Sequence, residues 1–201
     1  MYCLRRTVTG TTAGPTEIVE ITTSGTTFTA TTVSTTTNQN LSASPATSTV
    51  DPATGYMFFA LKTHSPETYA VEQYIPGSST TSVIVAGTDK RVMGLRYNRN
   101  NNMLYATTEN HPATTGPYTY SFVQISPASS TMTTLATLPF DVNNEFYTCG
   151  LDACSDRYVL STVSAWGWGY ITNTLTQIDM SGAILLQDTT TGLYQGMAIK
   201  Q

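Results

Sequence analysis

Four copies of a short strand, a tight polar turn and a second strand recur along this chain, and this repeat constrains the fold more than any other feature. The first strands of the copies span 16–21, 69–74, 120–125 and 173–178, and the second strands span 27–33, 82–86, 132–138 and 183–187. The residues between them are mainly Gly, Ser and Pro, which favour turn geometry. Each copy is therefore predicted to form an antiparallel hairpin.

A second paired element, a strand followed by a polar turn and an aromatic strand, precedes the last three hairpins at 49–60, 94–106 and 150–160. Aligning Ser48, Gly94, Gly150 and Gly196 gives intervals of about 46, 56 and 46 residues, the length of a four-stranded antiparallel unit. We label its strands A, B, C and D. The predicted repeats of this single domain, 1–201, are approximately 1–45 plus 194–201, 46–90, 91–146 and 147–193.

The two ends of the chain complete the pattern. A strand like B begins it at 2–4, and a strand like A lies near its end at 196–199. The repeats are therefore offset by one strand, so the last strand is expected to pair with the first unit and leave no open sheet edge.

Two segments resemble the repeats of secreted β-propeller proteins. They are the turn Asp-Pro-Ala-Thr-Gly at 51–55, which leads into an aromatic strand, and the run 120–138. The resemblance implies an all-β, propeller-like array of four four-stranded antiparallel blades, with the C-terminal strand completing the first blade. Tandem Ig-like β-sandwiches are the alternative, because short strands with frequent turns also suit that fold. Propellers serve many functions, so the resemblance concerns architecture.

Charged residues make up only 11% of the chain, and the net charge is −4. Threonine supplies about a fifth of the residues and suits strands that face water. This surface does not match nucleic acid, and no apolar run approaches the length of a membrane-spanning helix. The composition predicts an extracellular or cell-surface protein, although residues 1–6 lack the apolar core of a signal peptide.

Cys149 and Cys154 flank the start of a strand A and its turn, so they are candidates for a disulfide in an oxidising compartment. The alternative is that all three cysteines, including Cys3, are small buried side chains. A metal site through thiols is not expected, because no second Cys or His pair completes a tetrahedral set.

Catalytic motifs are missing from the sequence. The two histidines, His64 and His111, lie in loops beside proline, and no nucleophile elbow, zinc-protease motif or phosphate-binding glycine loop is present. We therefore predict that the protein is not an enzyme and has no catalytic residues. A weaker alternative is a glycan-active hydrolase that uses a pair of carboxylates drawn from Asp51, Glu109, Asp141 and Glu145.

No cofactor or metal is expected. The one weak candidate is a calcium loop formed by Asp141, Asn143 and Glu145, which present alternating oxygen ligands. This segment lacks the glycine and the distal glutamate of a recognised calcium loop, so an ordinary polar turn is the alternative.

The long predicted loops, which include 7–15, 63–68, 108–117 and 164–172, all join B to C or D to A and so share one end of the array. This end is the expected binding face. Its candidate ligand-binding residues are Trp166, Trp168, Tyr170, His111 and Asn143. The three aromatic residues, separated by glycines, suit stacking on sugars or a protein partner, and packing over the central channel is the alternative.

Asn40 begins an Asn-Leu-Ser sequon, so it is a glycosylation candidate if the chain enters a secretory pathway. The leading functional prediction is a non-enzymatic extracellular structural or adhesive subunit, with self-association into filaments by strand exchange as one form of it. The alternative is a lectin-like, carbohydrate-binding propeller that uses the long-loop face. The expected partners are further copies of the chain or glycans.

Overall fold

The structure is a computed structural model, and every element that it describes is a strand or a turn. It describes residues 1–9, 12–36, 40–41, 47–64, 67–110, 118–140, 148–163 and 172–191. In chain order the strands are β1 (Tyr2–Thr9), β2 (Thr12–Ser24), β3 (Thr27–Thr35), β4 (Asn40–Leu41), β5 (Ser48–Val50), β6 (Met57–His64), β7 (Glu67–Tyr74), β8 (Thr81–Thr88), β9 (Lys90–Asn98), β10 (Met103–Asn110), β11 (Thr119–Ser126), β12 (Thr131–Leu138), β13 (Thr148–Asp152), β14 (Arg157–Val163), β15 (Thr172–Asp179) and β16 (Ile184–Thr191).

The strands form four antiparallel sheets that follow one another along the chain. The first contains β1 to β3, the second β4 to β8, the third β9 to β12 and the fourth β13 to β16. In the second sheet the innermost position is shared by β4 and β5, which both pair with β6. This all-β arrangement confirms the predicted fold class and is consistent with a propeller-like array of four blades. The predicted strand at 196–199 lies outside the described residues.

All four predicted hairpins are formed, because their turns contain residues that accept the required backbone geometry. Gly25, Gly77 and Gly182 have positive φ angles of 60°, 86° and 95° in three of these turns. Ser130 takes the same region of φ in the fourth, at 54°. Each outer ladder also contains a register shift, which increases the local twist.

The alignment of Ser48, Gly94 and Gly150 made from the sequence is wrong by one residue in the second sheet and by two in the third. The ladders place Thr49, Arg96 and Gly150 at the same position of strand A, because they lie opposite Phe58, Tyr105 and Val159. Gly94 sits instead at a register shift in β9, with a φ angle of 62°. A bulge there adds a residue that a count along the sequence cannot detect.

Two of the predicted long loops are also wrong. The ladder between β1 and β2 continues to the pair Thr9 and Thr12, and that between β6 and β7 continues to His64 and Glu67. Only residues 10–11 and 65–66 separate these strands. The threonine-rich ends of the strands extend the pairing where we expected loops.

In the described part of the chain, the hydrophobic core consists of three clusters, one between each pair of successive sheets. Because side chains alternate along a strand, each C strand faces both neighbours. Ile18, Val71 and Phe122 face the following sheet and are fully buried. The residues that face the preceding sheet, also buried, are Tyr74, Ile125 and Ile178.

Side-chain hydrogen bonds also link neighbouring sheets. The Tyr158 hydroxyl donates to the Gly94 carbonyl at 2.6 Å in a buried hydrogen bond between the fourth and third sheets. The bulge at Gly94 turns this carbonyl out of its own ladder. At the outer side, the Ser34 hydroxyl donates to the Ser79 carbonyl of the second sheet at 3.2 Å. None of the described segments forms a helix of the length and apolarity that a membrane crossing requires.

Candidate functional site

The inner strands of three sheets surround a cavity of about 360 Å³. Strands β5, β9 and β13 lie side by side, and the cavity opens where they enter their A-to-B turns. We call it the axial cavity, and its lining residues are Thr49, Val50, Pro52, Arg96, Tyr97, Arg99, Cys149, Gly150, Leu151 and Ala153. It lies at the end of the array that carries the A-to-B and C-to-D turns, which we call the short-turn end. The end predicted to bind ligands is the opposite one.

The repeat explains why the space exists. At one shared position of strand A, the second sheet carries Thr49, the third Arg96 and the fourth Gly150. The Thr49 hydroxyl accepts a hydrogen bond from the backbone N–H of Tyr97 at 3.2 Å, which links the second and third sheets. Gly150 has no side chain to fill the equivalent place, so room is left beside the arginine.

Arg96 bridges the third and fourth sheets. Its Nη1 donates to the Leu95 carbonyl at 2.8 Å, and its Nη2 donates to the Cys149 carbonyl at 2.7 Å. These two bonds fix the plane of a partly buried guanidinium at the edge of the cavity.

Arg99 follows in the turn after β9 and is exposed. The ion pairs in the described part of the chain are Arg5–Glu17, Lys62–Glu67 and Arg91–Glu109. Neither Arg96 nor Arg99 forms one with a described residue. The residues that line the axial cavity thus include two arginines and no acidic residue.

The carboxylates of the A-to-B turns have structural partners. Asp51 accepts hydrogen bonds from the Ala53 N–H at 3.0 Å and the Thr54 hydroxyl at 2.5 Å. Burial opposes ionisation of Asp51, but the hydrogen bonds from the Thr54 hydroxyl and the Ala53 N–H outweigh it and lower its pKa. Asp51 therefore stabilises its turn as a carboxylate.

Asp152 takes the same place in the fourth sheet. It accepts hydrogen bonds from the Ser155 hydroxyl and, at 3.0 Å, from the Cys154 N–H. These bonds, with that from Ser155 the largest influence, lower the pKa of Asp152.

The carboxylates considered for hydrolysis are not brought together in the described residues. Glu109 is fully buried near the end of β10, with its Oε1 3.9 Å from Nη1 of Arg91. Asp51 lies at the opposite end of the array, beside an A-to-B turn. Asp141 and Glu145 lie outside the described residues.

The ligand-binding candidates Trp166, Trp168, Tyr170, His111 and Asn143 all lie outside the described residues, as does the rest of the calcium candidate. Within the described ranges, no group of three or more His, Cys, Asp or Glu side chains is arranged to hold a metal ion. Asn40 is in the short strand β4, where it pairs with Lys62.

Cys149 and Cys154 do not form the predicted disulfide in the structure. Cys149 is buried in β13, whereas Cys154 is exposed in the turn beyond Asp152. Three residues of extended strand span about 10 Å, and a disulfide requires Cα atoms less than roughly 7 Å apart. The strand therefore holds the two thiols too far apart.

The described part of the long-loop end contains a second cavity, of about 430 Å³. Aromatic and apolar side chains at the start of β11 and just after β12 form most of its lining, including Tyr118, Tyr120, Pro139 and Phe140. Tyr118 is 50% exposed. We did not predict this groove, although the aromatic residues that flank the loops at 118–120 and 140 are visible in the sequence.

The outer face of the fourth sheet differs from the equivalent faces of the other sheets. Leu175 occupies the position of Ile18, Val71 and Phe122 but is only partly buried. Val159 and Leu186 lie on the same face, opposite Gln177 in the two ladders that flank it. Val159 is partly buried and Leu186 is 54% exposed. We call Val159, Leu175 and Leu186 the open face of the fourth sheet.

The first sheet has a matching surface. Cys3 and Ile21 occupy positions that face a preceding sheet elsewhere in the molecule, where the equivalent residues are buried. Both are partly exposed, although Val19 between them is buried. Among the described residues, no strand of the first sheet makes a substantial contact with a strand of the fourth.

The outermost strands, β3, β8, β12 and β16, carry very little charge. Together they contain a single charged residue, Asp188, and no proline or lysine. Edge strands usually carry charges or proline that discourage pairing with other chains. The register shifts in the outer ladders twist these edge strands, which disfavours regular pairing with a strand of another chain.

No family model matches this chain, and no curated protein is detectably similar to it.

Proposed function

We propose that this protein is a non-enzymatic, extracellular structural or adhesive subunit that associates with further copies of itself. The observation that carries the proposal is the pair of partly exposed apolar surfaces on the first and fourth sheets. In the second and third sheets, the residues equivalent to Leu175 and Val159 are buried against a neighbouring sheet, and so are those equivalent to Cys3 and Ile21.

The contact between copies would repeat the contact between successive sheets. The open face of the fourth sheet carries apolar residues where each earlier sheet meets the next one. The first sheet of a second copy offers the complementary surface, with Cys3 and Ile21. Because this contact joins two different surfaces, it is heterologous, and it produces a filament where it does not close into a ring. Closure within one chain is the competing outcome.

The remaining support comes from composition and from the outer strands. Low charge and abundant threonine are typical of extracellular assemblies that present many β-strands. The nearly uncharged outer strands allow further lateral contacts, because little electrostatic repulsion separates copies. A non-enzymatic role agrees with two observations on the carboxylates: Asp51 accepts hydrogen bonds within its own turn, and it lies far from Glu109.

Sedimentation equilibrium over a range of protein concentrations tests the proposal. We expect the mass to rise above 21.7 kDa with concentration for the unaltered chain. Leu175→Lys places a charge on the open face, at a position that is buried between successive sheets elsewhere in the molecule, and is expected to return the protein to a monomer. Val83→Lys is the matched control, because Val83 is 50% exposed on the outer strand of the second sheet. A monomer at every concentration, or equal effects of both variants, would contradict the proposal.

The second candidate is a carbohydrate-binding protein, which the groove beside Tyr118 favours. An exposed aromatic ring next to a cavity of about 430 Å³ suits stacking on the apolar face of a sugar. Binding to an array of glycans is expected to disappear with Tyr118→Ala and to persist with Phe28→Ala, which removes another exposed aromatic ring. Binding that survives Tyr118→Ala would exclude this groove.

A further inference from the structure

We infer that the axial cavity binds a small organic acid, whose carboxylate is recognised by Arg96 and Arg99. This site lies at the short-turn end of the molecule and is separate from the surfaces proposed for self-association. The inference rests on the donors, the apolar lining and the size of the cavity.

The two arginines offer unused donors to one space. A guanidinium carries five N–H groups, and Arg96 uses its bonds to the Leu95 and Cys149 carbonyls to hold a fixed orientation. Its remaining donors are already oriented before a ligand arrives, which lowers the entropy cost of binding. Arg99 makes no hydrogen bond or ion pair with any described residue. Its guanidinium group can therefore donate two parallel hydrogen bonds to a carboxylate.

The nearby carboxylates are engaged elsewhere. Asp51 and Asp152 accept hydrogen bonds within their own turns. Asp156 accepts from the side-chain amides of Asn98 at 3.0 Å and Asn100 at 3.3 Å. The positive charge at the cavity therefore has no described carboxylate paired with it, and an external anion supplies that partner.

The rest of the lining determines what the anion is attached to. Val50, Pro52, Leu151 and Ala153 present apolar side chains to the cavity. The Tyr97 ring is held against Phe58, with ring centroids 5.4 Å apart and an interplanar angle of 12°. A ligand with an apolar body beside its carboxylate satisfies both parts of the site, whereas a bare inorganic ion satisfies only the arginines.

The size of the cavity limits the ligand to a small molecule. A volume of about 360 Å³ falls at the lower end of the range for small-molecule sites. Gly150 lines this space without adding a side chain to it. A polymer would contact the site only through one terminal acidic group.

Isothermal titration calorimetry with benzoate at constant ionic strength tests the inference. We expect saturable binding at one site per chain, with acetate weaker because it lacks the apolar body. Arg99→Gln should weaken benzoate binding about tenfold or more, since it removes a charge-assisted pair. Arg5→Gln is the control, because Arg5 is an exposed arginine of the first sheet, far from the cavity.

Arg99 is exposed, so its replacement should leave the thermal midpoint without ligand nearly unchanged. Three results would overturn the inference: binding that does not saturate, equal affinity in the Arg99→Gln and Arg5→Gln proteins, or phosphate binding more tightly than benzoate. The last result would identify an anion site without the apolar specificity. Self-association is measured without ligand, so either proposal can fail while the other stands.

Discussion

In the second and third sheets, one face packs against the following sheet. The equivalent face of the fourth sheet has no described sheet packed on it, so the same repeat position can be compared in the two settings. Val71 and Phe122 are fully buried, whereas Leu175 at the same position is only partly buried. Stacked repeats usually end in units with a polar outer face. Here Leu175 and Val159 are apolar, like the residues at the same positions of the second and third sheets, so this face has the composition of an internal contact.

The largest expected effect compares Phe122→Ala with Leu175→Ala. Loss of the fully buried Phe122 ring should lower the free energy of unfolding by about 3–5 kcal/mol. Leu175→Ala should cost about 1 kcal/mol in the monomer, because the side chain buries less area. Urea unfolding at low protein concentration measures both values. Equal losses would show that the two faces are equally covered.

The next effect concerns the contact between the fourth sheet and β12. A Cβ atom at Gly182 would lie 2.8 Å from the Ala136 Cβ and 3.2 Å from the Leu135 backbone carbon, and its φ angle is 95°. Gly182→Ala should therefore destabilise the protein by about 2–3 kcal/mol, measured by urea unfolding. Gly25→Ala is the control and should cost about 1 kcal/mol, because the space around it is open and only its φ of 60° is unfavourable.

A smaller effect is expected from Tyr158→Phe. The variant keeps the ring but leaves the buried Gly94 carbonyl without its hydrogen bond from the fourth sheet. The free energy of unfolding should fall by about 1–2 kcal/mol. Tyr56→Phe, at a partly buried ring near the second-sheet turn, should change thermal stability little. If the two variants lowered the stability equally, the hydrogen bond from Tyr158 to Gly94 would not contribute to holding these sheets together.

The smallest effect is a pH dependence at Asp51. Because the folded protein lowers the pKa of Asp51, its carboxylate adds stability above the unfolded pKa, near the usual 3.8. This contribution is lost as the pH falls below about 4 and through the folded pKa. Unfolding measured from pH 6 to pH 2.5 should show a shallower decline at the acid end for Asp51→Asn. A variant with an unchanged profile would show that the turn does not favour the ionised form.

The sequence was sufficient to predict the strands but not the surfaces between them. Turn residues such as Gly77 and the alternation of side chains on each strand are local signals, and all four hairpins followed from them. The axial cavity depends on Thr49, Arg96 and Gly150, which come together only through the ladders. The sequence alignment used Gly94, which lies two residues before Arg96, so the shared position was missed.

The exposure of the apolar surfaces on the first and fourth sheets could not be predicted from the sequence either. Phe122 and Leu175 are both apolar residues on a C strand, and among the described residues only Phe122 has a further sheet packed on it. The disulfide prediction failed for a related reason, because spacing along the chain does not give the distance between a strand residue and its turn.

The most direct test of the central claim is a cross-link between the two end faces. In a protein carrying Leu175→Cys and Cys154→Ser, mild oxidation should join the new thiol on the open face to Cys3 of a second copy. Gels without reductant should then show a ladder of multiples of 21.7 kDa. Val83→Cys in place of Leu175→Cys should give no ladder. A cross-link confined to single chains would show that the fourth sheet packs on its own first sheet, and would contradict association through these faces.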